Sequence, residues 1–549
     1  MHEIELKFQV PKSQSAALDR AVAGRTPLPR VRLQAAYCDT AGRALAQARL
    51  ALRVRREGRQ WVQTLKGATD DGMTRLEHNV LIAGTSMPQV DPSLHAGTPA
   101  GDRLYAVLGD LAQAARSGGA NAGGVGGVDG VGGLGVRYRT DIHRRSRLQR
   151  NAHGRVELAF DTGSIAAGAA RLAVCELEIE LHSGAPQAVI AAARAWVARF
   201  GLWLDMRSKS ERGDMLARAE AMAPARLASA VQLEPTLSAA QALRRVLASC
   251  ADQILTNASQ IASGEHGDDH VHQLRVGLRR LRSGLKLFAD TPVDAALAPA
   301  AAELFRQLGV ARDQVVIEAS FGAELRAALA AAGVADESPA VAPAGAEVGV
   351  DAGANLALTE LLRAPASQTL FLDLLGAMQE DEPDVALATA PVEGTADGSA
   401  NAASAGRKSA RRRPKRAAES ALQTQLAARL NRWHKGVVAD AVRYRGLDDE
   451  ARHRLRKRVK RLRYALEFSA TLFRSRSVRA YLKALRAVQE RLGAINDVVV
   501  AMDAFRGHRD TDPRAWFALG WLAARRELLI AQALPDLKAF SRAKRFWKR

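Results

Sequence analysis

The sequence predicts an α+β multidomain protein. Its N-terminal part reads as a closed antiparallel β tunnel with helices outside it, and its C-terminal part as an all-α bundle built of two pseudo-repeated halves. Three observations carry this. Charged and apolar residues alternate in six short segments between residues 1 and 215, a basic helical segment recurs at an offset of 181 residues, and Ala223-Pro224 and Pro235 mark a hinge between the two parts.

Composition bounds the function. At 549 residues the chain is too long for a single core, and 47% apolar residues exclude a wholly disordered chain. Lys and Arg number 79 against 58 Asp and Glu, a formal net charge of +21, which points to a polyanionic partner: nucleic acid, anionic lipid or phosphate chains. With only 5% aromatic residues there is little to stack on bases, which weighs against single-stranded nucleic acid. Cys38, Cys175 and Cys250 form no CxxC pair, so neither a disulfide framework nor a structural zinc site is expected. Met1-His2-Glu3-Ile4-Glu5 carries acids and no apolar run, and no stretch approaches the ~20 apolar residues of a membrane span. The expectation is a soluble, cytoplasmic protein.

In Glu3-Ile4-Glu5-Leu6-Lys7-Phe8, charges take the odd positions and apolar residues the even ones, which a strand places on opposite faces. The alternation returns in Leu52-Arg53-Val54-Arg55, Thr64-Leu65-Lys66, Arg75-Leu76-Glu77, Glu157-Leu158-Ala159-Phe160-Asp161 and Glu176-Leu177-Glu178-Ile179-Glu180-Leu181. A polar face carrying both signs of charge on so many strands suits a barrel with its apolar face packed outward on helices and a charged lumen within. Such a lumen must be paired internally or filled, because unpaired buried charge is very costly. Lys7, Arg53, Arg55, Lys66 and Arg75 offer cations for phosphate oxygens; Glu3, Glu5, Glu176, Glu178 and Glu180 offer carboxylates of the kind Mg²⁺ and Mn²⁺ prefer. Together they describe a site for a polyphosphorylated compound.

Glu3-x-Glu5-x-Lys7 resembles the ExExK signature of the CYTH family, the triphosphate tunnel metalloenzymes. The resemblance runs through Tyr37-Cys38-Asp39-Thr40, the strands just quoted, Arg139-Thr140-Asp141 and Ser208-Lys209-Ser210-Glu211-Arg212, covering about 1–215. It implies an eight-stranded tunnel that binds a triphosphate lengthwise and hydrolyses it with a divalent metal. It further implies Glu3, Glu5, Glu176 and Glu178 as metal carboxylates, with Asp161 or Glu180 assisting. Lys7, Arg53, Arg55, Lys66, Arg75 and Lys209 would hold phosphates, and Lys7 would also help position the attacking water. Arg139 and Arg144 are both candidates for a further phosphate contact, but their opposite parity lets a regular strand aim only one inward.

In the C-terminal part, Val271 to Arg282 matches Arg452 to Arg463, and Leu308 to Asp313 answers Leu492 to Asp497. On a helix His272, Arg275, Arg279, Arg282 and Lys286 form one narrow stripe beside Leu274, Leu278, Leu281 and Leu285; His453, Arg456, Lys460 and Arg463 repeat it. Arg452 to Arg463 contains no acid, so partners for these charges are not expected within their own helix. Two such copies would converge on a cationic groove for a long anion. This part resembles CHAD, the conserved histidine α-helical domain, over about 238–549, which implies binding of inorganic polyphosphate, with His272 and His453 as phosphate donors in preference to metal ligands.

The expected organisation is therefore a tunnel domain at 1–215, a linker at 216–237 and a helical domain at 238–549. Low-complexity stretches near 117–135, 334–355 and 383–417 are expected to be disordered, the last ending in a solvated basic run from Arg407 to Arg416. The expected activity is hydrolysis of tripolyphosphate to pyrophosphate and phosphate with Mg²⁺ or Mn²⁺. The alternatives are turnover of an organic triphosphate, as a cyclase or thiamine triphosphatase, and non-catalytic polyphosphate binding in association with granules.

Overall fold

A computed structural model of the chain describes residues 2–68, 73–117, 133–310, 321–333, 352–379, 421–510 and 512–547. Eight antiparallel strands form the tunnel: β1 His2–Gln9, β2 Val31–Asp39, β3 Leu50–Glu57, β4 Gln60–Ala68, β5 Thr74–Ile82, β6 Gly135–Asn151, β7 Gly154–Ala167 and β8 Ala170–Gly184. They run in the order β5-β4-β3-β2-β6-β7-β8-β1, and β1 pairs back onto β5, which closes the sheet. Closure removes both free edges. β1 lies at the seam, pairing with β5 through His2–Ile4 and with β8 through Glu5–Gln9. A two-residue strand, β9 Trp203–Leu204, lies against the end of β1.

On β1, β3, β4, the first half of β7 and the second half of β8 the apolar face is the outer one, whereas β2 and β6 turn Leu33, Tyr37, Tyr138 and Ile142 towards the lumen. Leu50, Leu52, Val54 and Leu65 are buried against Leu45 and Leu104 of the helices Ala44–Gln47 and Pro99–Ser117. On the opposite wall Leu6, Phe8, Leu158, Phe160, Leu177 and Ile179 pack on the helix Gln187–Phe200, and the same core continues into Leu243, Val246, Ile254 and Leu374 of the C-terminal helices. Burial of apolar area drives both contacts, so tunnel and helical bundle share one core.

The bundle comprises, among the described residues, the helices Ala239–Ala262, Asp268–Leu287, Leu297–Val310, Ala323–Ala331, Ala352–Arg363, Pro365–Met378, Ala421–Val442, Asp449–Phe468, Ser475–Arg506 and Arg514–Ser541. The repeated basic segments form the equal-length helices Asp268–Leu287 and Asp449–Phe468, which pack on each other. Each opens with two acids, Asp268-Asp269 and Asp449-Glu450, at its dipole-positive end. At Gly277 a Cβ would meet Ile254 Cγ1 at 2.7 Å, and at Gly284 Val246 Cγ1 at 2.7 Å, so glycine permits the close approach of Ala239–Ala262. No helix among the described residues is long and apolar enough to cross a membrane.

The expected linker is not a loose tether. Val231 and Leu233 are buried, Leu233 N donates to Thr471 Oγ1 at 2.9 Å, and Arg226 N donates to Asn257 Oδ1 at 3.0 Å. Of the stretches expected to be disordered, 118–132, 334–351 and 383–417 lie outside the described residues; Gly135 begins β6, and residues 352–355 begin the helix Ala352–Arg363. Ala311, Arg312 and Asp313 of the second repeat match also lie outside them.

Candidate functional site

The alternation of two places Glu3, Glu5, Lys7, Arg53, Arg55, Lys66, Arg144, Asp161, Glu178 and Glu180 on the walls of one cavity of about 1050 Å³, which Lys209 enters from a helix. Strand register sets their neighbours. Glu5 stands opposite Glu180, Lys7 opposite Glu178, Lys66 opposite Glu77, and Arg144 opposite Asp161. Opposed side chains on one face of an antiparallel pair lie close enough to interact. The carboxylates of β1 and β8 therefore meet in the lumen although more than 170 residues separate Glu5 from Glu178.

Ion pairs knit these groups together. Lys66 Nζ bridges Glu3 and Glu77 at 2.7 Å each, and Lys7 pairs with Glu5. Arg144 makes a two-pronged contact with Asp161 at 2.7 Å and also reaches Glu178. Lys209, the first residue of the helix Lys209–Ala217, contacts Asp161 at 2.7 Å, Glu178 at 2.9 Å and Glu176. A capping box between Ser208 and Glu211 fixes the start of that helix and so the direction of Lys209.

These contacts set the charge states. Burial raises Glu3, and its hydrogen bond to Glu77 adds to this, against the pull of Lys66. Burial opposes ionisation of Glu77 too, but the bond from Glu3 and the Lys66 ammonium hold it low. Burial of Glu178 is outweighed by Lys209, Arg144 and Lys7, which keep it well below the ordinary carboxylate range. Glu180 is pushed up by burial and then by Glu5. Arg55 is lowered to about 10, first by burial and then by Arg53. Among the described residues the Nε atoms of Arg53 and Arg55 are buried without a hydrogen-bond partner; groups left so are costly, and an anion in the lumen would satisfy them.

Several candidates fall elsewhere. Of the two β6 arginines, the lumen holds Arg144; Arg139 is exposed, with Nη1 3.4 Å from Met87 Sδ, because Tyr138, Thr140, Ile142 and Arg144 share the inward parity. Glu176 lines no part of the cavity: it is fully buried behind Lys209 and Arg212, with Gln9 Nε2 at 3.5 Å. Its carboxylate nevertheless lies within 4.8 Å of Asp161 and Glu178. The backbone of Arg75 pairs with Glu3 in the closing seam, while its side chain lies outside the described residues. Glu77, Glu157 and Tyr37 line the cavity without having been singled out as site residues, although their strands carry the same parity. Tyr37 Oη accepts from Arg53 Nη1 at 3.1 Å, and its ring stacks on Tyr138 at 4.8 Å.

The second constellation lies between the two basic helices. Arg275, Arg279 and Arg282 surround the ring of Phe305, at 5.1, 5.6 and 5.9 Å from its centre. Across from them, burial and then Arg456 and Arg279 depress Lys460 to about 6. Burial and then Arg461 and Arg282 lower Lys286. The stripes thus converge closely enough to repel. Among the described residues Arg279 Nε, Arg456 Nε and Arg463 Nε are buried without a hydrogen-bond partner. Contrary to expectation the second basic helix does supply acids of its own, at its two ends: Arg452 pairs with Asp449 at 3.1 Å and Arg463 with Glu467 at 2.9 Å. His453 Nδ1 donates to Asn496 Oδ1 at 2.6 Å, but burial outweighs this bond and lowers the imidazole pKa; His272 is half-buried on the matching turn. Arg280, also in the repeat, is instead a structural anchor: it is buried and donates to Gln253 Oε1 and Ser249 Oγ at 2.8 Å each.

A family model of the CYTH domain matches residues 1–213, and one of the CHAD domain matches residues 245–506. Among solved structures, the chain is similar to the CHAD domain from the plant Ricinus communis, at 30% identity over 58% of this chain and 97% of that one, with a TM-score of 0.42. It is also similar to a candidate adenylate cyclase from Bacillus halodurans, at 16% identity over 36% of this chain and 89% of that one, with a TM-score of 0.25. A candidate adenylyl cyclase from Hippeastrum with a dominant triphosphatase activity is similar at 17% identity over 40% of this chain and 98% of that one, with a TM-score of 0.25. The protein is a member of both matched families, a CYTH domain followed by a CHAD domain.

Proposed function

We propose that the protein is a metal-dependent inorganic triphosphatase, cleaving tripolyphosphate to pyrophosphate and phosphate, with a helical module that binds inorganic polyphosphate. The carrying observation is the closed lumen with carboxylates of β1 and β8 facing one another beside a cluster of arginines and lysines. Arg53, Arg55, Lys66, Arg144 and Lys209 would hold phosphate oxygens, with guanidinium groups suited to two-pronged contacts. Glu3, Glu5 and Glu178, helped by Asp161 and Glu180, would hold Mg²⁺ or Mn²⁺, since carboxylate oxygens are the donors these hard cations take. When bound, the metal supplies Lewis-acid polarisation of the terminal phosphoryl group and a more acidic water. Lys7, between Glu5 and Glu178, would orient that water, while the arginines stabilise charge on the equatorial oxygens.

A substrate without a base is favoured by the lining. Its tyrosines, Tyr37 and Tyr138, stack on each other and leave charged groups facing the lumen. Phosphate release with Mg²⁺ or Mn²⁺ should be fastest from tripolyphosphate, with ATP and thiamine triphosphate at least about tenfold slower in kcat/KM, a difference of ~1.4 kcal/mol. Preference for either organic triphosphate would overturn the substrate assignment, and no release from any would leave a binding protein.

For the helical module, His272, Arg275, Arg279, Arg282, Lys286, His453, Arg456, Lys460 and Arg463 would line the polyphosphate groove, where Arg279, Arg456 and Arg463 each hold an Nε without an acceptor among the described residues. Lys460, held at about 6, is largely neutral at pH 7.5. A polyanion raises its pKa, so binding should take up a proton. Affinity should then fall as pH rises above 6, by at most about tenfold per unit. Calorimetry of polyphosphate binding in two buffers of different ionisation enthalpy measures the uptake; none at pH 7.5 would exclude Lys460 from the groove.

A further inference from the structure

We propose that the helical domain sets the position of a tunnel cation, with Ser259 and Gln368 acting as positioning residues for Lys209. This rests on the triphosphatase reading of the lumen and adds a role for the domain interface.

The connection runs through residues 203–209. On one side this segment is part of the tunnel: Trp203 and Leu204 pair with Gln9 and Phe8 of β1, and Asp205 N donates to Lys7 O at 2.9 Å. On the other side the helical domain holds it. Leu204 N donates to Gln368 Oε1 at 2.8 Å, and Met206 N donates to Ser259 Oγ at 2.9 Å. Gln368 is itself oriented, because its Nε2 donates to Leu362 O at 2.7 Å. The neighbouring Arg363 lies over the Trp203 ring at 4.1 Å and donates to Ala262 O at 2.8 Å.

Ser259 and Gln368 are 3% and 1% exposed, polar side chains inside a largely apolar contact. Apolar burial alone would hold the two domains together without defining how far the strand end sits from the helices. Directional hydrogen bonds define it, and leaving either backbone N–H unsatisfied in the core is costly. Three residues beyond Met206, the capping box starts the helix that sends Lys209 into the lumen, where it touches Asp161, Glu176 and Glu178. Arg212, bound to Glu176, secures the far end of the same turn. Lys209 is thus aimed by a short strap whose near end is paired with β1 and whose outer side is fastened to the helical domain. The cavity itself reaches this interface, with Met206, Asn257 and Gln260 among its walls.

The test is a double-mutant cycle on the full-length protein, using Ser259→Ala, Gln368→Leu and Lys209→Gln. Tripolyphosphate binding without metal is read by calorimetry, and kcat by phosphate release. Ser259→Ala and Gln368→Leu should each weaken binding about fivefold and lower kcat about tenfold, since small displacements of a positioned group cost this much or more. In the Lys209→Gln background neither should have a further effect. Ser259→Thr, which keeps the hydroxyl acceptor for Met206 N, should stay within about twofold of wild type. Long-chain polyphosphate binding should be unchanged in Ser259→Ala, showing that the helical domain is intact; if Gln368→Leu does not fold, the serine arm decides alone. Unchanged binding and kcat, or an equal loss with and without Lys209, would overturn the positioning role while leaving the triphosphatase reading standing. A wild type that neither binds nor cleaves tripolyphosphate overturns both.

Discussion

Glu178→Gln should lower tripolyphosphate turnover by about a thousandfold while long-chain polyphosphate still binds. The amide keeps the size of the side chain, so the barrel wall is undisturbed. The charge is what changes. Glu178 faces Lys7 across the β1–β8 pair and accepts from Lys209 and Arg144, whose cations keep it ionised in spite of its burial. A neutral amide leaves Lys209 and Arg144 short of a counter-charge and takes a carboxylate oxygen from the proposed metal set. Removing one such preorganised group from a closed site typically costs 10²–10³ in rate, about 3–4 kcal/mol. Glu5→Gln should behave alike, since Glu5 faces Glu180 and pairs with Lys7 in the same ring of the lumen. Phosphate release at saturating Mg²⁺ or Mn²⁺, beside a thermal melt to show folding, checks both; wild-type turnover in either variant would remove that carboxylate from the metal site.

Arg279→Glu combined with Arg463→Glu should weaken long-chain polyphosphate binding by about a hundredfold or more and leave tripolyphosphate turnover within about twofold of wild type. The two residues belong to opposite helices of the groove, and each has a buried Nε without a hydrogen-bond partner among the described residues. Reversing both changes the local charge by four units and removes two of the cations that, after burial and Arg456, depress Lys460. Binding to a linear polyanion rests on displaced counterions, so the slope of affinity against salt should flatten too. The fold should survive, because an acid at 279 lies among Arg275, Arg282 and Arg456 and relieves repulsion. Calorimetry or filter binding at two salt concentrations measures the change; equal affinity and slope would place the polyphosphate site elsewhere.

Most of the lumen was legible because a strand repeats every two residues. Once Ile4, Leu6 and Phe8 are assigned to one face, Glu3, Glu5 and Lys7 are assigned to the other, whatever the rest of the fold does. The same rule states that Arg139 and Arg144 cannot both face inward, yet it cannot say which does. That answer depends on where β6 sits against β2 and β7, which put Arg144 beside Val31 and Asp161. Glu176 shows the limit from the other direction. Its parity is that of Glu178, but the helix carrying Lys209 and Arg212 closes over it, and no periodicity within β8 could reveal a cover that arrives from residues 209–212.

Local pattern alone therefore determined the inside-out barrel, its charged faces and the duplicated basic helices, since parity and helical spacing are properties of neighbouring residues. Tertiary structure alone decided which carboxylates share an ammonium, how closely the two basic stripes approach, and that the helical domain reaches through Ser259 and Gln368 to the segment that aims Lys209. Those are distances between residues far apart in the chain, and they follow from how strands close and helices pack.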